Sequence, residues 1–253
     1  MSIIKYISLF LVMSTSIVAN KIIADSNNIN ISVGIAPPYI NEAEKEVGFV
    51  TKIILESLKE SKNVPNFIVK DWHQVSSAVD LEHHLSYWWH KTPEREKKWY
   101  FSQPIFKAEF VFLARKDVRF YWTRYDQLRP YKIGLSHIQS YGALFDSYIQ
   151  YLQTETLISD YSGIKALLKG DVDAILIEKS MAIHLLSFFN KKEQNRLELF
   201  KNKIIYEEPY FLVCAKSFSN CNYYIEVFNV GLNKVKSSGK YDKIIEEFSR
   251  GHK

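Results

Sequence analysis

KTPEREKKWYFSQPIF, residues Lys91–Phe106, holds a helix start and the approach to a strand within sixteen positions. Pro93 has the fixed φ and missing N–H that suit the first turn of a helix, and Thr92 before it carries a hydroxyl that caps one. Arg95 then lies beside the unsatisfied amides of that helix start, a planar cation with five donors where an anion can be held from two sides. Phe101-Ser102-Gln103-Pro104 reads as a turn leading into a strand over Phe110–Arg115. Arg95 also reads as a surface arginine on a charged helix, beside Glu94, Glu96, Lys97 and Lys98.

Upstream, Ile29–Ile35 alternates as a strand and stops at Ala36-Pro37-Pro38-Tyr39, because two prolines cannot continue a sheet ladder. Phe49, Ile53, Ile54 and Leu58 fall at helical spacing, so Gly48-Phe49 opens an amphipathic helix through Lys59. Val64–Val69 reads as a second strand. Strand, turn, helix, strand begins an α/β layer with a parallel sheet, whose ligands sit beyond the carboxyl ends of the strands, where Pro38 and Tyr39 fall. Ser76–Leu85 reads as a short helix before Tyr87–His90. Downstream, Tyr131–Leu135 is a strand and residues 136–142 open a helix over Ala143–Leu152. A helix over Ser162–Leu168 ends at Gly170, a strand follows at Val172–Ile177, and a helix at Lys179–Phe189. Tyr210–Ala215 is a strand, and Tyr223–Phe248 holds two helices parted at Ser237-Ser238-Gly239.

Residues 1–19 carry one charge, Lys5, then the apolar run Ile7–Met13 and small residues ending at Ala19. That order is a secretory signal peptide, cleaved after Ala19 or Ala24, and the run is too short for a membrane span. An uncleaved N-terminal anchor is the other reading. No cysteine stands near either cleavage point, which argues against a lipid anchor. Removing residues 1–19 takes Lys5 and lowers the formal charge from +5 to +4. Apolar residues at 47% and aromatics at 15% suit well-filled cores. Charges of both signs are interspersed, which is not the footprint of a nucleic-acid binder. Cys214 ends a strand-like run and Cys221 opens a helix-like stretch, so a small disulfide clip is feasible in an oxidising compartment, with two free thiols as the alternative. His83, His84 and His90 are not at metal spacing, and no cofactor is expected.

The T-x-x-R start and aromatic-Phe-Ser-x-Pro finish of Lys91–Phe106 resemble a signature of the family 3 bacterial extracellular solute-binding proteins, amino-acid receptors of ABC importers. Further matches run in order along the chain. Gly170-Asp171-Val172-Asp173-Ala174 is similar to the family's G-x-(V/L)-D-A, and Phe228-Asn229…Leu232 with Gly239-Lys240-Tyr241-Asp242-Lys243-Ile244 is similar to its C-terminal pattern. The resemblance implies an α/β, two-lobed periplasmic-binding-protein fold (type II), each lobe a mixed sheet flanked by helices, joined by two hinge strands. The implied lobes are 27–112 plus 213–253, and 113–212, with the ligand in the cleft between them.

By the same resemblance Arg95 holds a ligand carboxylate, and Ser140 sits at the helix start of the second lobe, although Ile138 stands where the family commonly has glycine. Glu178, five residues after Asp173, falls where members often have an aspartate for the ligand ammonium; a salt bridge to Lys179 is the competing reading. Tyr39, Tyr141 and one of Trp88 and Trp89 are candidates for the cleft walls. The family often has small hydroxyl residues where this chain has Tyr87-Trp88-Trp89-His90. The function implied is capture of a small polar solute, an amino acid or related compound, in the periplasm by a monomer, and delivery to an ABC permease. An exported enzyme of the same fold, a dehydratase of the prephenate or arogenate type, and a ligand-sensing module are the alternatives.

Overall fold

A computed structural model describes residues 28–41, 47–59, 61, 63–136 and 140–251. The leader expected over residues 1–19 lies outside them, as does Ile138. β1 (Asn28–Val33) runs parallel to β2 (Val64–Val69), with Asn28 opposite Val64 and Val33 opposite Val69. α1 (Phe49–Leu58) makes the crossover and buries Phe49, Val50, Ile53, Ile54 and Leu58, the stripe its spacing predicts. α2 (Trp72–Leu81), β3 (Ser86–Trp89), α3 (Pro93–Lys98) and β4 (Trp99–Phe101) complete this part of the chain. α3 starts as expected: the Thr92 hydroxyl accepts from the Arg95 amide at 3.3 Å, and Pro93 occupies the first turn.

β5 (Phe106–Arg115) then carries the chain away. Its first half pairs antiparallel with a second long strand, and its second half pairs with β8 (Ala174–Glu178) and β9 (Leu197–Leu199). The intervening elements are β6 (Lys132–Ser136), α4 (Ala143–Ile149), β7 (Gln153–Leu157), α5 (Asp160–Lys169), β8 (Ala174–Glu178), α6 (Lys179–Leu186), α7 (Lys191–Gln194) and β9 (Leu197–Leu199). β10 (Tyr206–Ala215) returns, pairing with β5 over Tyr206–Tyr210 and with β3 and β4 over Phe211–Ala215. α8 (Cys221–Ser237) and α9 (Lys240–Gly251) close the chain against α1. Each long strand thus leaves one group of strands halfway along and joins the other. Two α/β lobes result, linked by the paired halves Phe106–Phe110 and Tyr206–Tyr210.

Those halves are where the expected strands fall short, since both begin four residues earlier than the apolar runs suggest. Lys107, Glu109, Glu207 and Glu208 give the linking ribbon a polar character that hides its strands. The expected helix over Ser76–Leu85 begins at Trp72 and ends at Leu81. β4, β7 and β9 were not expected. α8 lies very close to α1: a Cβ on Gly231 would come within 1.8 Å of the Ser57 carbonyl oxygen, so only glycine admits this helix contact. Cys214 and Cys221 are joined by a disulfide, with Cα atoms 5.9 Å apart.

Candidate functional site

The turn after β1 places Tyr39. The Ala36 amide donates to the Ile40 carbonyl at 3.0 Å, and the Tyr39 amide to the Ala36 carbonyl at 2.9 Å. The opening amides of α1 tie the turn down, Phe49 donating to the Pro38 carbonyl and Val50 to that of Tyr39. Gly48 is needed there, because a Cβ would meet the Tyr39 carbonyl oxygen at 2.1 Å. Tyr39 is buried, and its ring packs on Phe49, with centroids 5.4 Å apart.

A β-bulge places Trp88. β10 pairs Phe211 with Trp89 and Leu212 with Tyr87, which leaves Trp88 as the extra residue of β3. Its φ is +73°, an uncommon conformation for a bulky side chain. The bulge breaks plain alternation, so Tyr87 and Trp89 go to different cores. Tyr87 shares a hydrogen bond with the Thr51 hydroxyl at 2.7 Å under α1. Trp89 packs edge-on to Trp72 and Trp99 beneath α2 and donates to the Ser86 hydroxyl at 2.7 Å. Trp88 is left between Tyr39 and Tyr210, 3.9 Å and 4.0 Å away and tilted by 23° and 6°. Each such pair contributes about 0.5–1.5 kcal/mol beyond the area it buries. Of the two tryptophans, Trp88 is the one that meets Tyr39.

Glu178 approaches from the other lobe. It is the last residue of β8, pairs with Phe110 of the linking strand, and caps α6, accepting from the Met181 amide at 2.7 Å through Oε2. The Tyr39 hydroxyl donates to the same oxygen, so the two lobes touch directly at this point. Glu178 is 6% exposed, and Oε1 is buried without a hydrogen-bond partner. Burial pushes its carboxyl above the usual range, against the donors from Tyr39, Met181 and Ser180, which pull it down. Burial, with the Glu178 charge adding to it, also raises the Tyr39 hydroxyl.

The other expected residues lie apart from this contact. The Arg95 guanidinium rests 4.7 Å from the Trp89 ring and donates from Nη1 to the His90 carbonyl at 3.0 Å. It helps to line a cavity of about 380 Å3 with Trp72, Asp80, Trp89 and Trp99. Glu178 lines another, of about 390 Å3, between α6 and α9. Arg95 and Glu178 are therefore not brought together in this structure. The Ser140 hydroxyl donates to Asp146 Oδ2 at 2.6 Å on the surface of the second lobe. Tyr141 is buried, its hydroxyl accepting from the Ser136 amide at 2.9 Å, and burial raises that hydroxyl to about 12. Asp173 serves the fold, accepting from the Lys132 amide at 2.9 Å.

Sequence reasoning missed Tyr210, Phe106 and Asp160. Tyr210 stands at the junction of the two halves of β10, where the linking strand enters the first lobe. Asp160 opens α5 just past β7, the end of a parallel strand where ligand groups gather, and burial raises its carboxyl. Its position before Ser162–Leu168 was the available signal. Among the described residues no group of three or more histidines, cysteines or carboxylates is placed to hold a metal ion.

The whole arrangement is similar in fold to solved substrate-binding and VFT domains. The second substrate-binding domain of a putative amino acid ABC transporter from Streptococcus pneumoniae is 17% identical, with TM-score 0.70, over 88% of this chain and 99% of that one. Substrate-binding domain 2 of Lactococcus lactis GlnP, in its open conformation, is 15% identical with TM-score 0.72, over 88% and 95%. The VFT2 domain of Bordetella pertussis BvgS is 14% identical with TM-score 0.66, over 89% and 94%. Among curated protein sequences nothing matches the chain. No helix among the described residues is long and apolar enough to cross a membrane. With residues 30–251 matched by the model for bacterial extracellular solute-binding proteins, family 3, this chain belongs to that family.

Proposed function

We propose that the chain is an exported, periplasmic solute-binding protein that captures a small polar solute, an amino acid or related compound, by closing its lobes, and delivers it to an ABC permease. It works as a monomer, without a cofactor and without chemistry on the solute. The lobes divide along the paired strands Phe106–Phe110 and Tyr206–Tyr210, a few residues before the boundaries at 112–113 and 212–213 that the resemblance implies. The observation that carries this reading is the meeting of Tyr39 from one lobe with Glu178 from the other: a buried acid whose best partner is a cation lies where closure traps one. In this reading Glu178 takes the positive end of the solute, Tyr39 and Trp88 form an apolar wall, and Ser140 and Tyr141 belong to the rim of the second lobe. Arg95, over Trp89, is assigned to the rim of the first.

A thermal-shift screen against amino acids, small peptides, polyamines and aromatic acids tests it. A solute at a hundred times its Kd stabilises by about 2.7 kcal/mol, so a clear rise in Tm is expected in the wild type and none in Glu178→Gln. A screen without any shift, or one equal in both proteins, contradicts the reading. The sign of the pH dependence follows from Glu178. Its folded-state value is raised, so its contribution to ligand-free stability is fullest below the ordinary carboxylate value and is lost as pH rises to the folded value. A cationic group needs the ionised form, so affinity should rise over that same window, about tenfold per pH unit until Glu178 is ionised.

A further inference from the structure

Trp88 stands in the middle of the cleft at a backbone position that resists it. It is the extra residue of the β3 bulge, at φ +73°, where a bulky side chain is a rare occupant. Strain kept at such a position points to a task for the side chain it presents. We propose that Trp88 is a tethered plug: its indole occupies a slot one ring thick between Tyr39 and Tyr210, and the slot admits the flat ring of an aromatic or heteroaromatic solute when the indole leaves. The inference rests on the reading of the chain as a solute-binding protein and names the class of its solute.

The walls of the slot come from separate parts of the chain. Tyr39 belongs to the turn after β1, tied down by the first amides of α1. Tyr210 and Phe106 are register partners on the linking ribbon. The indole lies 3.9 Å from the Tyr39 ring and 4.0 Å from that of Tyr210, tilted by 23° and 6°, so a phenol ring covers each of its faces. Phe106 stands further off, at 6.1 Å. The Tyr39 hydroxyl in turn donates to Glu178 of the second lobe, so one wall of the slot is fixed to that lobe.

The neighbouring tryptophans show how an indole is anchored when it serves a core. Trp89 and Trp99 are buried, and each donates from Nε1, to the Ser86 hydroxyl at 2.7 Å and to Asp80 Oδ1 at 2.5 Å. Trp88 differs on both counts. Among the described residues its Nε1 meets no acceptor, and it is partly exposed between the buried Tyr87 and Trp89. A ring held by its faces exchanges for another flat ring with little loss, because the newcomer restores both stacking contacts. An aliphatic solute of the same size leaves the two tyrosine faces poorly covered. The slot thus selects on planarity, separately from the charge recognition assigned to Glu178.

Isothermal titration of indole into the wild type, Trp88→Gly and Trp88→Gly/Tyr210→Ala tests the proposal. Melting temperatures check that each variant folds. Glycine empties the slot and suits the positive φ, and Trp88→Ala takes its place in the test should Trp88→Gly not fold. Indole is expected to bind the single variant about tenfold or more tightly than it binds the wild type or the double variant. Phenol and cyclohexanol match in size but not in planarity, and phenol should bind Trp88→Gly about tenfold the more tightly. No indole binding to the folded single variant, equal binding to the wild type, or cyclohexanol binding as well as phenol would overturn the plug. So would a wild type that binds an aliphatic amino acid or a polyamine more tightly than every aromatic compound in the wider screen, a result that leaves the solute-binding reading intact. Indole binding to Trp88→Gly with no solute binding the wild type would uphold the slot and remove that reading.

Discussion

Trp88→Gly is expected to destabilise the protein less than Trp88→Ala, the reverse of the order that side-chain size alone gives. Removing a buried tryptophan typically costs about 3–5 kcal/mol. Trp88 is only partly buried, but its ring is held on both faces, by Tyr39 and Tyr210, and both stacking contacts vanish in either variant. The backbone decides the difference. At φ +73° a non-glycine residue carries a conformational cost of about 1–3 kcal/mol, which glycine lifts and alanine keeps. Urea denaturation should therefore place Trp88→Gly above Trp88→Ala by about 1 kcal/mol or more. Alanine equal to or better than glycine would show that the bulge relaxes without strain. The same glycine opens the middle of the cleft, so a broader range of bulky solutes should bind.

The largest loss of stability is expected from Phe112→Ala. Phe112 is fully buried on β5, just beyond the linking ribbon, with Phe120, Trp122 and Phe145 edge-on to it at 5.1, 5.0 and 6.2 Å. No neighbour can collapse into the space without leaving its own ring contacts, so the full cost of about 3–5 kcal/mol applies. Against a total stability of about 5–15 kcal/mol, that is enough to leave the second lobe marginal. Ile158→Ala, at a position 90% exposed, is the control and should change stability by no more than about 0.5 kcal/mol. A loss under about 1 kcal/mol in Phe112→Ala would mean that the aromatic cluster repacks.

Local chemistry explains which parts of the fold were legible. Thr92-Pro93 starts α3 where a capping hydroxyl and a proline demand it, and the spacing of Phe49, Ile53, Ile54 and Leu58 gives α1 its buried stripe. β7 was silent because four of its five residues are exposed, so no alternation marks it. The first halves of β5 and β10 were silent for a related reason: they pair with each other between the lobes rather than lie in a core. For the site, the resemblance singled out Glu178, but its partner Tyr39 is 139 positions away, and no local pattern announces that contact. Which tryptophan meets Tyr39 depends on the register break opposite Phe211 and Leu212, a property of two strands together. Arg95 was legible as a helix-start cation, but its resting place over Trp89 was not.

In the proposed function the two lobes close on a solute at Glu178. Pulsed electron–electron resonance between nitroxides on Ser77→Cys of α2 and Ser147→Cys of α4, both exposed positions, reads the separation of the lobes directly. The native cysteines are paired with each other and leave the labels unambiguous. The expected result is a distance distribution that broadens in Tyr39→Phe, collapses to its short component when a bound solute saturates the wild type, and fails to respond in Glu178→Gln. A distribution that a tightly binding solute leaves unchanged would rule out closure of the lobes at Glu178.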